Sequence, residues 1–141
     1  MSQIYFDDVK EGEELPEMTK NASRAQLFLF SAATQNPHRI HYDREYAAVE
    51  GHPDVLVHGP LQGAWLAQYV TDWAGPAGRV LGVGWRNRAR AFPEQDLTFG
   101  GRVVRAFTEG DRGIVELEVW EKNPDGETLM PATAKVALPL R

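Results

Sequence analysis

The sequence contains no cysteine, no long hydrophobic run and no excess of basic residues. Without cysteine there are no disulfides, thiol nucleophiles or thiolate metal ligands. The net charge of −5 argues against nucleic acid or an anionic membrane surface as the main partner. The N-terminus has no basic segment followed by an apolar run, and the longest apolar stretch is too short to span a bilayer. We therefore expect a cytoplasmic protein.

The chain has the size and composition of one folded domain. Its 141 residues are 43% hydrophobic and 25% charged, which is ordinary for a globular protein with a substantial core. No repeat, low-complexity segment or linker divides the sequence. We therefore predict a single domain over residues 1–141.

One strongly apolar segment, residues 55–73, is expected to organise the fold. After a break at His58-Gly59-Pro60 the segment is apolar on almost every face, which is typical of a buried helix. We predict Gly59 as the N-cap, Pro60 at the first helical position and an end at Gly75. The free amides of Gly59, Leu61 and Gln62 at the helix start suit an oxygen that carries negative charge, although any core helix would leave such amides free.

Helices precede this segment and strands follow it. Apolar spacing predicts a helix over residues 24–34 with Ser23 as its cap, and a short helix from Asp43 to residue 48. Gly100-Gly101 indicates a bulge or a close backbone approach within a strand. The predicted strands cover residues 18–22, 79–92, 97–107, 113–121 and 128–138.

The strand pattern predicts the fold class. The clearest strand, residues 113–121, places Val115, Leu117 and Val119 inward and two glutamates outward. Four strands joined by short turns are expected after the buried helix, and the last of them should form an antiparallel meander. Helices followed by strands predict an α+β protein. A curled antiparallel sheet wrapped around one long buried helix is the hot-dog fold.

The densest group of polar residues that can perform chemistry is the segment 36–43, Asn-Pro-His-Arg-Ile-His-Tyr-Asp. His38, His41 and His58 lie in polar breaks beside apolar elements, whereas His52 fits a turn. A loop histidine beside a carboxylate or an amide can act as a general acid or base near neutral pH. These histidines are therefore the first candidates for a functional site.

Zinc binding and a serine nucleophile are two alternative chemistries. Three histidines could suggest zinc, but His38 and His41 are on a proline-containing loop with no obvious third ligand, so we predict no metal. Ser23 and Ser31 lack the glycine context of a nucleophilic serine.

Two motifs together resemble a known family. Residues 36–43, followed about twenty residues later by His58-Gly-Pro-Leu61 at a helix start, are similar to the MaoC-like hot-dog hydratases and dehydratases. Within that family the chain most resembles type 2 3-hydroxyacyl-thioester dehydratases and mesaconyl- or itaconyl-CoA hydratases. The resemblance covers most of the chain, and it implies paired hot dogs that act on acyl thioesters of coenzyme A or acyl carrier protein, without a cofactor.

The resemblance also implies roles for particular residues. The family motif is Asp-x-Asn-Pro-aliphatic-His, in which Asp and His activate the water that adds to a double bond. In the preferred register His41 takes the histidine position and Asn36 replaces the aspartate. The other register, with Thr34 and Arg39 in those positions, supplies neither an acid nor a base. We expect His41 to transfer the proton, Asn36 to position the water, and His38 to share the work.

Substrate binding is expected at the helix start and on an arginine-rich face. The amides of Gly59 and Leu61 would stabilise the charge that develops on the thioester oxygen, and the adjacent His58 is a further substrate-binding candidate. Arg86 and Arg88, with Arg90 on the same face, have two interpretations. They are either the solvated side of a strand or a binding site for the phosphates of coenzyme A.

The predicted activity is hydration of an enoyl thioester, or dehydration of a 3-hydroxyacyl thioester, across the C2–C3 bond. One alternative is a catalytically weak subunit of a heteromeric hot-dog hydratase, or an acyl-CoA-binding protein, because Asn36 replaces the aspartate. Another is an acyl-CoA thioesterase, which would need Asp54 or Glu50 to activate water. We expect a homodimer or a higher assembly, with a heterodimer as an alternative.

Overall fold

The computed structural model describes residues 2–141, which form a five-stranded sheet and three α-helices. The strands are β1 (Glu14–Asn21), β2 (Arg79–Trp85), β3 (Asp96–Glu109), β4 (Arg112–Lys122) and β5 (Thr128–Pro139). The helices are α1 (Arg24–Ala33), α2 (Arg44–Val49) and α3 (Gly59–Ala74), and two 3₁₀ turns cover Phe6–Asp8 and Arg39–His41.

The sheet is antiparallel throughout, in the order β1-β3-β4-β5-β2. Strands β3, β4 and β5 form the predicted meander, with Leu117 opposite Val103 on one side and Ala134 on the other. The expectation of four consecutive strands joined by short turns is wrong for β2. This strand pairs with β5 at the far edge, so residues 86–95 form a long connection back to β3.

Helix α3 packs against one face of this sheet, as predicted for a hot-dog fold. It contacts β1, β2, β4 and β5, and half of its sixteen residues are buried. Leu66 and Val70 are fully buried, and burial of such side chains contributes roughly 1.5 to 3 kcal/mol each. The inward residues Val115, Leu117 and Val119 of β4 are buried as predicted.

The helix caps agree with the sequence at two of three positions. The Ser23 hydroxyl accepts a hydrogen bond from the amide of Gln26, and the Asp43 carboxylate accepts one from Tyr46. For α3 the predicted cap is wrong by one residue, because His58 is the extended residue before the helix and Gly59 is already helical. Pro60 therefore occupies the second helical position, where its missing N–H leaves no intrahelical bond unmade.

Strand boundaries differ from prediction mainly in β2. The strand ends at Trp85, so residues 86–92 are not part of it, although the amides of Arg86 and Arg88 still donate to carbonyls of β5. Gly100 is a close approach, as predicted, since a Cβ there would lie 2.7 Å from the Trp120 indole nitrogen. The β1–β3 pairing shifts register opposite these glycines, between Leu15 and Met18, and the β3–β4 pairing shifts between Val103 and Arg105.

Among residues 2–141, no helix has the combined length and hydropathy that a membrane span requires.

Candidate active site

The loop of residues 36–43 and the segment before α3 come together in the folded chain. The amide of Leu56 donates to the carbonyl of Ile40 over 2.9 Å, which holds the two segments side by side. The side chain of His41, which follows Ile40, contacts the same segment. The two motifs that the sequence separates by about twenty residues therefore form one site.

His41 has a defined tautomer because its Nδ1 lies 2.8 Å from the carbonyl oxygen of Leu56. A carbonyl oxygen can only accept, so Nδ1 carries the hydrogen and Nε2 has a free lone pair. Nε2 has no hydrogen-bond partner among residues 2–141, and it is not one of the sealed polar atoms of this region. Burial lowers the pKa of His41, with opposition from the Leu56 carbonyl and a smaller lowering by His38. The ring is therefore set up to act as a base at Nε2.

His58 lies directly against His41. The two rings stack with centroids 3.8 Å apart and an angle of 16° between their planes. His58 Nε2 is 2.7 Å from the hydroxyl of Ser31, and Phe30 packs edge-on with a centroid distance of 4.8 Å. The side chain is fully buried, and Nδ1 has no partner among the described residues. Burial, followed by the neighbouring His41, lowers the pKa of His58 to about 4, so His58 is neutral near pH 7.

His38 lies at the surface of the same site. Its Nε2 is 3.0 Å from a carboxylate oxygen of Glu50, and its ring centroid is 6.1 Å from that of His41. The hydrogen bond from His38 is the main cause of the lowered pKa of Glu50. Glu50 therefore orients the ring of His38, which lies beside the buried His41.

Asn36 lies on the loop that follows α1. Its amide donates to the carbonyl of Ser31, and its side-chain oxygen accepts from the amide of His38 over 3.3 Å. The oxygen is thus used within the loop, while the side-chain NH₂ has no partner among residues 2–141. Asn36 borders a surface depression of about 340 Å³ together with Ser31 and Tyr42.

The start of α3 offers two free amides beside the histidines. Those of Gly59 and Leu61 have no acceptor in the described part of the chain, whereas the amide of Gln62 donates to the carbonyl of His58. The expectation that Gln62 also has a free amide is therefore wrong, because the helix has already closed its first turn there. Asn87 packs on Gly59 so closely that a Cβ would lie 2.6 Å from its side-chain nitrogen.

The two candidate arginines lie in the connection after β2. Arg86 and Arg88 both expose their side chains, and neither forms a salt bridge within residues 2–141. Arg90 does not share their environment, since its guanidinium contacts the carbonyl of Gly51 and Nδ1 of His52. The predicted three-residue face is thus reduced to two free cations.

The sequence interpretation missed three contributors to this site. Ser31 carried a signal, because it follows Leu27 by four residues and so lies on the buried face of α1. Leu56 acts through its backbone carbonyl oxygen, which every residue has, so its residue type gives no signal. Asn87 reaches Gly59 only through the tertiary fold.

No group of three or more His, Asp or Glu side chains within residues 2–141 has the arrangement of a metal site. The donors that are close together are two histidine rings stacked face to face, with one nitrogen of each engaged by Ser31 or Leu56.

Comparison with known proteins identifies the family. The sequence model described as hydroxyacyl-thioester dehydratase type 2 matches residues 7–93. A mesaconyl-C(4)-CoA hydratase from Chloroflexus aurantiacus is 39% identical over 111 residues, which are 78% of this chain and 36% of that protein. The 3-oxo-4,17-pregnadiene-20-carboxyl-CoA hydratase beta subunit of Mycobacterium tuberculosis is 28% identical over 130 residues, which are 92% of this chain and 95% of the subunit.

A solved structure described as a MaoC-like dehydratase has the same fold, with a TM-score of 0.83 and 30% identity over 99% of this chain and 43% of its own. The chain thus spans about a third of the length of the Chloroflexus relative and less than half of this structure. The predicted resemblance is confirmed. Because the family model covers more than half of its residues, the chain belongs to the hydroxyacyl-thioester dehydratase type 2 family.

Proposed function

We propose that this chain is a hydro-lyase that hydrates enoyl-CoA thioesters and dehydrates the corresponding 3-hydroxyacyl thioesters. One observation supports the proposal most strongly. The Leu56 carbonyl fixes the hydrogen of His41 on Nδ1, so that Nε2 is an unprotonated base in a largely buried setting. Family membership and the hydratase relatives support the same reaction.

In the hydration direction, Nε2 of His41 takes a proton from water as the water oxygen bonds to C3. The π electrons of the C2–C3 bond move toward the thioester, and its carbonyl oxygen gains negative charge. The proton held by His41 then returns to C2, so one water is added and the histidine is regenerated. Positioned acid–base groups of this kind contribute roughly 10² to 10⁴-fold in rate.

The charge on the thioester oxygen needs hydrogen-bond donors at the place where it forms. The free amides of Gly59 and Leu61 lie at the positive end of α3, next to His58 and thus beside the ring of His41. Donors of this type contribute about 3 kcal/mol to such transition states. Pro60, between them, has no N–H and cannot take part.

Asn36 and His38 support His41 from the loop. The free NH₂ of Asn36 can orient the water, but an amide cannot take up a proton at neutral pH. The His38–Glu50 pair is the nearest second acid–base group, with its ring 6.1 Å from His41. Arg86 and Arg88 are assigned to the phosphates of coenzyme A, because both are exposed and free of carboxylate partners within residues 2–141.

The assembly is proposed to be a dimer or higher. Strand β2 is an edge strand, and it exposes Leu81 and Trp85 by 49% and 40% respectively. A second hot dog that pairs with this edge would cover both side chains. A homodimer is the simplest form, and a heterodimer is the alternative because the M. tuberculosis relative is named as a beta subunit.

A non-catalytic or weakly catalytic subunit is the second candidate function. It is favoured by Asn36, which replaces the family's aspartate with a group that cannot carry a proton. Thioester hydrolysis is less well supported. The two carboxylates that could activate water for hydrolysis are both bound by other side chains. Asp54 accepts hydrogen bonds from the two terminal guanidinium nitrogens of Arg24, and Glu50 is hydrogen-bonded to His38.

The test is product analysis with a panel of enoyl-CoA esters that includes crotonyl-CoA and mesaconyl-CoA. Loss of the enoyl absorbance with formation of a 3-hydroxyacyl-CoA, and without release of free thiol, is the expected result. Stoichiometric release of coenzyme A would identify a thioesterase instead. Binding of the esters by calorimetry without turnover would identify the subunit or binding role.

A further inference from the structure

Ser31, His58 and His41 form a connected buried unit although they come from three separate elements. Ser31 lies on the buried face of α1, His58 precedes α3, and His41 ends the 3₁₀ turn. Their exposed fractions are 5%, 0% and 9%. Burial of this much polar surface is costly unless the groups perform a task or satisfy one another.

Each contact in the unit restrains a different motion of the His41 ring. The hydrogen bond from Nδ1 to the Leu56 carbonyl fixes the direction of one ring edge. The stacked ring of His58, 3.8 Å away and nearly parallel, fixes the plane about that hydrogen bond. Together they leave Nε2 with a single orientation.

His58 is itself held on two sides. Its Nε2 is bonded to the Ser31 hydroxyl, and Phe30 lies against the ring face at a steep angle of 63°. Because its own Nδ1 is sealed from solvent and has no partner among residues 2–141, His58 presents no accessible nitrogen to a substrate, unlike His41. Its position therefore suits support of His41 better than direct contact with the acyl chain.

The electrostatic setting favours a division of roles between the two rings. Two protonated imidazoles at this separation would repel each other strongly, so only one of the pair can carry charge during the reaction. The titratable groups that adjoin His41 are His58, from the start of α3, and His38, from its own loop and bonded to Glu50. The more deeply buried His58 is the one that stays neutral.

We propose that Ser31 and His58 are positioning residues for the hydration reaction: Ser31 holds His58, and the stacked His58 ring holds His41 with Nε2 directed at the water. Neither residue touches the reacting atoms. The kinetic consequence rests on the function proposed above, whereas the restraint on His41 can be measured without any substrate.

Kinetics with the ester that the wild type hydrates best provide the first measurement. His58→Ala removes the stacked ring and is expected to lower kcat about 100-fold, with KM changed less than about twofold, because misplacement of a catalytic group by an ångström costs about that much. His58→Phe keeps a flat ring and is expected to recover most of this loss. Ser31→Ala removes one hydrogen bond and is expected to lower kcat about fivefold.

The matched control is Ser23→Ala, a second serine-to-alanine change on the same helix. Ser23 caps α1 but does not contact His58, so its loss weakens the helix and leaves the stack in place. If Ser23→Ala lowers kcat as much as Ser31→Ala, the effect of Ser31 is only structural and the proposal is wrong.

Nitrogen-15 NMR of the histidine rings is the second measurement, and it separates this proposal from the proposed function. In the wild type His41 is expected to show one tautomer, with the hydrogen on Nδ1. In His58→Ala the His41 ring is no longer held in its plane, so its hydrogen bond to the Leu56 carbonyl should weaken and the tautomers should mix. The His41 pKa should rise toward its ordinary value, because burial is relieved. An unchanged tautomer and pKa in a folded His58→Ala protein would overturn the positioning role. Absence of turnover in the wild type, with the NMR result as expected, would count against the function alone.

Discussion

Two buried titratable regions of this molecule differ in how their polar atoms are satisfied. Around His41 and His58 each ring has one nitrogen with a partner, and the free Nε2 of His41 is not sealed, although Nδ1 of His58 is. On β4, Glu121 is fully buried between Phe99 and Met130 of the neighbouring strands, and neither carboxylate oxygen has a partner within residues 2–141. In both regions burial is the first cause of the pKa shift.

The comparison teaches that a shifted pKa does not by itself mark a functional site. Burial raises the pKa of Glu121 to about 8 and lowers that of His58 to about 4, so both groups are driven to their neutral forms. Only the histidine region adds an aligned, accessible nitrogen and free helix amides. Glu121 is therefore expected to affect stability, and His41 to affect catalysis.

The largest expected effect is on stability, from Glu121→Gln. The native state holds a proton on Glu121 up to about pH 8, whereas the unfolded chain releases it near the ordinary pKa of 4.5. The contribution of Glu121 to stability therefore falls as pH rises between these values, by about 1.4 kcal/mol per unit. Glu121→Gln should raise the free energy of unfolding by about 4 kcal/mol at pH 8 and by little at pH 4.5.

Urea denaturation at several pH values measures this, with Glu118→Gln as the control on the outward face of the same strand. The hydration rate of Glu121→Gln should equal that of the wild type. A loss of activity without a loss of fold would place Glu121 in the site and remove the contrast between the two regions.

The next effect is on the pH dependence of stability, and it comes from His58 with the opposite sign to that of Glu121. The native His58 pKa of about 4 lies below the ordinary histidine value of 6.5, so the unfolded chain binds a proton between these values and the native chain does not. This group makes stability rise with pH across that window, by about 3 kcal/mol in total. His58→Phe should remove this contribution, so the slope of stability against pH between pH 4 and 7 should be lower than in the wild type, as urea denaturation at several pH values would show. A slope that matches the wild type would mean that His58 is not held neutral by the fold.

The smallest expected effect is on KM, from two exposed arginines whose charges are screened by the solvent. Arg86→Ala and Arg88→Ala should each raise KM for an enoyl-CoA ester by a few fold, with kcat unchanged, since an exposed ionic contact is worth about 1 kcal/mol or less. The increase should shrink at high salt. Arg79→Ala, on the exposed side of β2, is a matched control. Equal KM values for all three variants would mean that Arg86 and Arg88 are only a solvent-exposed face and do not bind coenzyme A.

How much the sequence predicts depends on whether a residue acts locally or through the fold. The caps at Ser23 and Asp43, the buried helix and the meander follow from local patterns, and the structure has all of them. Glu121 could have been found, because it continues the inward parity of Val119 by two residues.

The pairing of Ser31 with His58, and the Leu56 carbonyl under His41, could not be predicted. Both contacts join segments more than ten residues apart, and their geometry is set by how α1 and the loop pack against the start of α3. Asn87 is a similar case, since it reaches Gly59 only because the connection after β2 runs past the helix start.

The most direct test of the central claim is the hydration rate of His41→Ala beside His52→Ala, a histidine outside the stacked cluster. If Nε2 of His41 moves the proton, kcat/KM should fall about 10³-fold in His41→Ala and hardly at all in His52→Ala. The folded His41→Ala protein should still bind the ester. Activity of His41→Ala within about tenfold of the wild type would contradict the assignment and direct attention to His38 and Glu50.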